Sequence, residues 1–121
     1  MKINSFLKKW YNKDIENYGG VTSPEYEEFQ KDYKNVLAEL VNEINFTLYK
    51  FNPNHYEFSA VLQDNETGKF YYISISDVRY WNNEWADKIL YRTMEHNEDW
   101  HGGPNHYSTL KDLKDNLLKL R

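Results

Sequence analysis

Cysteine is absent from this sequence, which excludes disulfides, thiolate metal ligands and a cysteine nucleophile. A reducing compartment is the simplest setting for such a chain, so we expect a cytoplasmic protein. No apolar run reaches the roughly 18 residues of a membrane span. The opening residues, MKINSFLKKWYNKD, also lack the apolar segment of a signal peptide. The sequence therefore predicts neither a membrane span nor secretion.

Basic residues are too few to outweigh the acids. Fifteen Lys and Arg stand against 19 Asp and Glu, which gives a net charge of -4, and the acids concentrate in residues 21–45 and 77–107. Duplex nucleic-acid binding usually requires a basic stripe, because affinity comes largely from neutralised phosphates and released counterions. We therefore expect no direct binding to duplex nucleic acid. The chain also carries no cofactor fingerprint, and we expect no cofactor.

Aromatic residues, in contrast, are abundant. They make up 17% of the 121 residues, with eleven Tyr, and hydrophobic residues make up 40%. A chain of this length and apolar content is expected to fold as a single domain over residues 1–121. The aromatic excess also permits a homodimer.

Two helices are predicted at the start of the chain. An apolar stripe at helical spacing from Phe6 to Tyr18, closed by a Gly-Gly pair, predicts a helix over about residues 4–18. A hydroxyl cap followed by Pro24 then starts a second helix, whose apolar face continues to Ile44.

The hydrophobic period next changes to two, which predicts three antiparallel strands in a meander, with turns at residues 52–54 and 64–68. A fourth strand is predicted at about 87–94, with a short helix from Glu84 as the alternative. Ser108 is expected to cap a closing helix that has leucines on one side. The predicted fold is α+β: two N-terminal helices, an antiparallel meander of three to four strands, and a C-terminal helix packed on the sheet.

This order resembles the double-stranded-RNA-binding domain in outline, because that family also places a three-stranded meander between two helices. The closing helix of that family begins with a lysine cluster that contacts phosphates. Here the corresponding segment reads Ser-Thr-Leu-Lys-Asp over residues 108–112. The resemblance therefore concerns topology alone.

Residues 77–107 hold three of the four Trp, three of the four His and a Gly-Gly-Pro break. Amphipathic rings beside charges are typical of a recognition surface, and Arg adds a planar fork that Lys lacks. We predict that aromatic anchors, arginines and acids of this segment bind a partner protein: Trp81, Trp85, Trp100, Arg79, Arg92, Glu84, Asp87, Glu98 and Asp99. Internal ion pairs made by Arg79 and Arg92 are the alternative interpretation.

Two other functional classes stay open. A pocket for a nucleotide signal could be formed by Arg79, Arg92, Asn105 and His106, with bases stacking on the tryptophans. In a metal-dependent hydrolase, a metal site could take its ligands from the histidines at 96, 101 and 106 with Asp99. A hydrolase could use His101 or His106 as general base, Asp99 or Asp77 to orient it, and Ser108 as nucleophile. The histidine spacing fits no known metal signature, so we predict neither a metal site nor catalytic residues.

A glycine pair precedes Pro104 and interrupts this histidine-rich stretch. It lacks the lysine of a phosphate-binding loop. We expect a tight turn or a close backbone crossing, with glycine chosen for a positive φ.

The short, cysteine-free chain, rich in Asn, Lys and Tyr, looks like the small proteins of phages and mobile elements of low-GC Gram-positive bacteria. In size, acidity and lack of cofactors it is similar to the anti-CRISPR inhibitors. That resemblance implies a non-enzymatic inhibitor whose partner is a host defence or nucleic-acid-processing protein. Acids on residues 25–43 and 84–99 would then be steered electrostatically to the basic nucleic-acid-binding surface of that partner.

Overall fold

A computed structural model describes residues 1–10, 24–53, 58–75, 88–99 and 102–121. Three helices and five strands lie in these ranges: α1 (Ile3–Trp10), α2 (Pro24–Asn42), β1 (Phe46–Pro53), β2 (Phe58–Asp64), β3 (Phe70–Ile75), β4 (Ile89–Met94), β5 (His106–Ser108) and α3 (Leu113–Lys119). None of these helices is both long enough and apolar enough to cross a membrane.

The strands form one antiparallel sheet whose spatial order equals the chain order, from β1 at one edge to β5 at the other. A tight turn joins β2 to β3. In this turn Gly68 adopts a φ of 76° and donates its N–H to the carbonyl of Asp64 at 2.8 Å. Glycine reaches this left-handed conformation without a steric penalty. The turn predicted at residues 64–68 is confirmed.

A bulge interrupts β1, because its register with β2 shifts between Leu48 and Lys50. Tyr49 is the extra residue, so Tyr49 and Lys50 both point to the face of the sheet away from the helices. After the bulge Phe51 pairs with Ala60 and faces the helices again. The irregularity thus brings two phenylalanines, Phe46 and Phe51, to the same side of one strand.

The helix-facing side of the sheet carries the hydrophobic core. Along β2, β3 and β4 every second residue points toward the helices, as the pleat of a strand dictates. The buried cluster joins all three helices to the sheet: Phe6, Trp10, Phe29, Tyr33, Val36, Leu37, Leu40, Val41, Phe46, Phe58, Ala60, Leu62, Tyr71, Ile73, Ile75, Ile89, Tyr91, Leu110, Leu113 and Leu117.

Helix α1 is attached to α2 by rings and by one partly buried ion pair. The Phe6 ring meets the Tyr33 ring edge to face at 5.2 Å. Asp32 accepts hydrogen bonds from Lys9 Nζ at 2.8 Å and from Trp10 Nε1 at 2.9 Å. Burial acts to raise the pKa of the Asp32 carboxyl, but these two hydrogen bonds, together with the charges of Lys9 and Lys31, hold the pKa below its usual value.

The predicted α+β class and the C-terminal helix are confirmed, and residues 89–94 are strand rather than helix. The predicted strand number is wrong, because the sheet has five strands within the described ranges instead of three to four. Of the first predicted helix, residues 3–10 are helical, and residues 11–18 lie outside the described ranges.

The start predicted for the closing helix is also wrong. Ser108 is the last residue of β5, opposite Ile89, and α3 begins five residues later at Leu113. Asp112 precedes α3 without a side-chain capping bond. A hydroxyl residue serves as a cap only when the next residues turn into a helix, and here the backbone at Ser108 is still paired with β4.

A buried ion pair ties the end of the chain to the sheet. Asp64 is fully buried, and its two carboxylate oxygens accept hydrogen bonds from Arg121 at 2.8 and 3.1 Å. The same guanidinium contacts Glu66 at 2.9 Å. Burial alone would raise the pKa of the Asp64 carboxyl, but the hydrogen bonds from Arg121 and from the Glu66 N–H lower it below its usual range.

Replacing Arg121 by Ala should lower the free energy of unfolding by about 2 kcal/mol, since it leaves a buried carboxylate without its counter-charge. This value lies below the range for a fully enclosed pair, because Arg121 is 28% exposed. Lys119→Ala, an exposed change in the neighbouring helix, should cost less than about 0.5 kcal/mol. Urea unfolding followed by circular dichroism measures both. Equal losses in the two variants would contradict the role assigned to the pair.

The same pair predicts a pH dependence. Because the pKa of Asp64 in the folded protein lies below its unfolded value, its contribution is present above the unfolded pKa of about 4 and is lost as the pH falls through the folded pKa. Asp64→Asn should therefore be less stable than wild type at pH 7, and the gap should narrow as the pH falls from 5 to about 2. Unfolding midpoints across this range test it, and a constant gap would argue against an ionised Asp64.

Candidate functional site at the outer face of the sheet

Six of the nine residues predicted to bind a partner lie outside the described ranges, so their role stays a prediction: Arg79, Trp81, Glu84, Trp85, Asp87 and Trp100. Arg92 lies in β4, and Glu98 and Asp99 lie in the loop that follows it. His106 begins β5, and Asn105 directly precedes it. Strand β4 and its loop therefore position most of the described candidates.

The loop formed by residues 95–99 is held in place by the Asp99 side chain. Its two carboxylate oxygens accept the backbone N–H groups of Glu95 at 3.0 Å and Gly102 at 3.1 Å. The Asp99 N–H in turn donates to the carbonyl of His96 at 3.1 Å. Because these bonds fix the backbone on both sides of the loop, Asp99 organises the site.

The Arg92 side chain contacts the backbone of this loop and supports it. Its side chain is 5% exposed, lies 4.6 Å from the Tyr72 ring and donates a hydrogen bond to the Asp99 carbonyl at 3.2 Å. A guanidinium can stack on a ring and donate from its rim at the same time. These contacts favour an internal, supporting role for Arg92, although the described acceptor is a carbonyl and not the acid expected from the sequence.

The glycine pair allows the chain to cross β4 at close range. A Cβ on Gly102 would lie 2.1 Å from the Thr93 carbonyl oxygen, and one on Gly103 would lie 2.4 Å from Thr93 Oγ1. The Gly103 N–H donates to the same carbonyl at 3.0 Å. The predicted close crossing is confirmed, whereas the predicted positive φ is wrong, because neither glycine is left-handed.

Beside the loop lies a surface that combines acids with an ordered aromatic ring. Glu95 and Glu98 are exposed, and Asn97 donates a hydrogen bond to the Tyr49 hydroxyl at 2.9 Å. The Tyr49 ring is 43% exposed and meets the Phe70 ring edge to face at 5.2 Å. We call Tyr49, Glu95, Asn97 and Glu98 the acidic-aromatic surface. An exposed ring that packs against a neighbouring ring and accepts a hydrogen bond at its hydroxyl is already ordered for binding.

Sequence reasoning missed Tyr49 and Asn97. Both are ordinary in their local context, a tyrosine in a strand and an asparagine in a polar loop. The two residues are 48 positions apart, so only the folded sheet brings them together. A signal was present in FTLYKF, whose two phenylalanines can share one face only if the strand contains an extra residue.

The acids of α2 are much less available than their number in the sequence indicates. Glu28 and Asp32 pair with Lys9, Glu39 pairs with Lys2 and the N-terminal amine, and Glu43 pairs with Lys114. Three acids of α2 and Glu43 directly after it are therefore paired. Glu95 and Glu98, in contrast, form no ion pair with any residue of the described ranges.

Strand alternation separates two of the residues proposed for a nucleotide pocket, Arg92 and His106. His106 is opposite Tyr91 and stacks on its ring at 5.2 Å, on the helix-facing side. Arg92 follows Tyr91 and points to the other face, where it meets Tyr72. His106 and Arg92 therefore do not line one pocket.

Of the groups considered for hydrolysis, Asp77 and His101 lie outside the described ranges, and the others show no catalytic arrangement. Within the described part of the chain, no three His, Asp or Glu residues are grouped so that they could hold a metal ion. The Ser108 hydroxyl donates to the Thr109 carbonyl at 2.7 Å and accepts from Asn116 at 2.8 Å. Its proton is thus committed to the backbone and is not directed at a histidine.

Comparison with known proteins gives no family for the chain. No protein-family model, no curated protein and no solved structure matches it. The resemblance to the double-stranded-RNA-binding domain does not extend to the whole sheet, which has five strands in place of three. Function must therefore be inferred from the geometry of the molecule itself.

The glycine crossing yields a stability prediction. Gly102→Ala should lower the free energy of unfolding by about 3 kcal/mol, because the added methyl group collides with a backbone oxygen that is fixed in the sheet. Gly68→Ala places its methyl group in open space and should cost only the left-handed penalty of about 1–2 kcal/mol. Chemical denaturation of both variants tests the difference. A larger loss at Gly68 would contradict the tight crossing at Gly102.

Proposed function

We propose that the chain is a non-enzymatic protein-binding module that inhibits a host defence or nucleic-acid-processing protein, in the manner of small phage and mobile-element inhibitors. The observation that carries the proposal is the acidic-aromatic surface, in which exposed Glu95 and Glu98 flank the ordered Tyr49 ring. The partner would offer the basic surface on which it normally binds nucleic acid.

The physical basis is preorganisation combined with charge. Asp99, Arg92 and the glycine crossing fix the loop before binding, so little conformational entropy is lost when a partner docks. Carboxylates on a fixed loop attract a basic surface and accelerate association. An exposed tyrosine supplies apolar contact area with few rotatable bonds. Glu28, Asp32 and Glu39 of α2 contribute less to this encounter than the sequence indicates, since each is already paired with a lysine.

The nucleotide-binding alternative has weaker support. Of the two arginines predicted to hold the phosphates, the described one, Arg92, is buried and already hydrogen-bonded to the loop. His106 lies on the opposite face of the sheet. A hydrolase has weaker support again, because the Ser108 hydroxyl is bonded to a backbone carbonyl.

A charge-reversal pair tests the proposal. Wild-type protein is used to capture a partner from a Gram-positive lysate, and the purified partner is then titrated with wild type, with Glu95→Lys/Glu98→Lys and with Asp112→Lys/Asp115→Lys. The first variant should bind about tenfold more weakly and should lose much of the salt dependence, because it reverses the charge that meets the basic surface. The second variant makes the same charge change at exposed positions near α3 and should differ from wild type by less than about twofold.

Two results would contradict the proposal: equal weakening in both variants, which would indicate a nonspecific charge effect, or full binding by Glu95→Lys/Glu98→Lys. A partner that is not displaced from its nucleic acid by wild-type protein would contradict inhibition at the basic surface. Trp85→Ala in the same titration tests the anchor role predicted from the sequence, and unchanged affinity would remove Trp85 from the interface.

A further inference from the structure

Strand β1 forms an edge of the sheet and lies beside a groove. Among the described strands its only neighbour is β2. No backbone group of the described ranges pairs with the N–H and C=O groups on its other side, which can pair with another extended chain. Thr47, Lys50 and Pro53 on this strand are exposed, so the edge is accessible.

Helix α2 forms the second wall of this groove. Two clefts lie between the helix and the strand, one of about 530 Å³ beside Ala38, Asn42 and Leu48, and one of about 270 Å³ beside Lys34 and Phe51. The helical residues that line them recur at intervals of three and four, which places them on one side of α2. We call the line of these two clefts the edge groove. One cleft touches the first part of β1, at residues 46–48, and the other touches its last part, at Phe51 and Pro53.

The groove has an apolar floor and a basic end. Leu48 and Phe51 are half-buried, so each keeps part of its side chain available for contact. At the Phe51 end, Lys34 Nζ lies 6.0 Å above the Phe51 ring, and Lys31 is exposed beside it. Glu27 is the single acid lining this cleft, so the cations outnumber it.

A second copy of the chain fits this site poorly. Strand β1 carries one charged residue, Lys50, so pairing β1 with β1 of another copy brings no acid to Lys31 and Lys34. Its bulge and Pro53 also interrupt the regular ladder that a long self-paired edge requires. The other cleft, beside Leu48, is lined by Glu39, so the basic character is confined to the Phe51 end. The charge of that end favours a different occupant, one that is extended and brings an acid to Lys31 and Lys34.

We propose that the edge groove binds an extended acidic segment of a partner protein, which adds to β1 as a further strand. Alternate side chains of this segment enter the groove, where apolar residues contact Leu48 and Phe51 and an acid meets Lys31 and Lys34. Main-chain hydrogen bonds to β1 supply affinity, and the two lysines supply the preference for acids. This site differs in charge from the acidic-aromatic surface and does not depend on it.

Selection from a display library of random linear peptides of about twelve residues, with the full chain immobilised, tests the proposal. We expect enrichment of peptides in which apolar residues alternate and at least one acid is present. A synthetic copy of an enriched peptide should slow amide hydrogen exchange at residues 46–53, measured by nuclear magnetic resonance, because it pairs with the edge of β1.

Variants then locate the site. Lys31→Glu/Lys34→Glu should bind the peptide about tenfold more weakly, whereas Lys111→Glu/Lys119→Glu, with the same charge change at exposed positions elsewhere, should differ from wild type by less than about twofold. Ala38→Trp, which fills the other cleft, should also weaken binding. Any of three results would overturn the proposal: no enrichment above the bare support, binding without protection of β1, or equal loss in both charge-reversed variants.

Discussion

The bulge in β1 is the constraint on which the rest of the molecule depends. Without the extra residue, strict alternation would turn Phe51 away from the helices. The packing between β1 and α2 would then lose the contribution of Phe51. With it, Phe46, Leu48 and Phe51 all face α2, and Tyr49 is placed on the outer face beside Phe70. One local irregularity thus determines both the packing of the longest helix and the position of the exposed ring.

The negative charge that a segment presents to solvent depends on how many of its acids form ion pairs, and not only on how many acids it contains. In α2, Glu28 and Asp32 pair with Lys9 of α1 and Glu39 pairs with Lys2; directly after it, Glu43 pairs with Lys114 of α3. Asp64 is enclosed with Arg121. Glu95 and Glu98, which form no ion pair with a described residue, lie on a short loop whose backbone is held by hydrogen bonds to Asp99. A net charge of -4 therefore gives little indication of where the outward field of the molecule is strongest.

Much of the architecture could be predicted from the sequence because its long elements repeat a period. Helix α2 has a regular apolar face and a clear start, and β2 to β4 alternate over six or seven residues. Strand β5 has three residues, which are too few to show a hydrophobic period. Ser108 is a residue type that often caps a helix, but here it is paired with Ile89 in the sheet. The site was less predictable, because contacts such as Asn97 with Tyr49 and Lys9 with Asp32 join residues distant in sequence.

The pair between Asp64 and Arg121 also has a consequence for the lifetime of the folded state. Its partners are 57 positions apart, and the intervening chain includes β3, β4, β5 and α3. Closing so long a loop is entropically costly until those elements are ordered, so the pair is expected to form after the main folding barrier has been crossed. Contacts made that late hardly change the rate of folding; they slow unfolding instead. Arg121 would then act mainly by slowing the unfolding of a sheet that has already assembled.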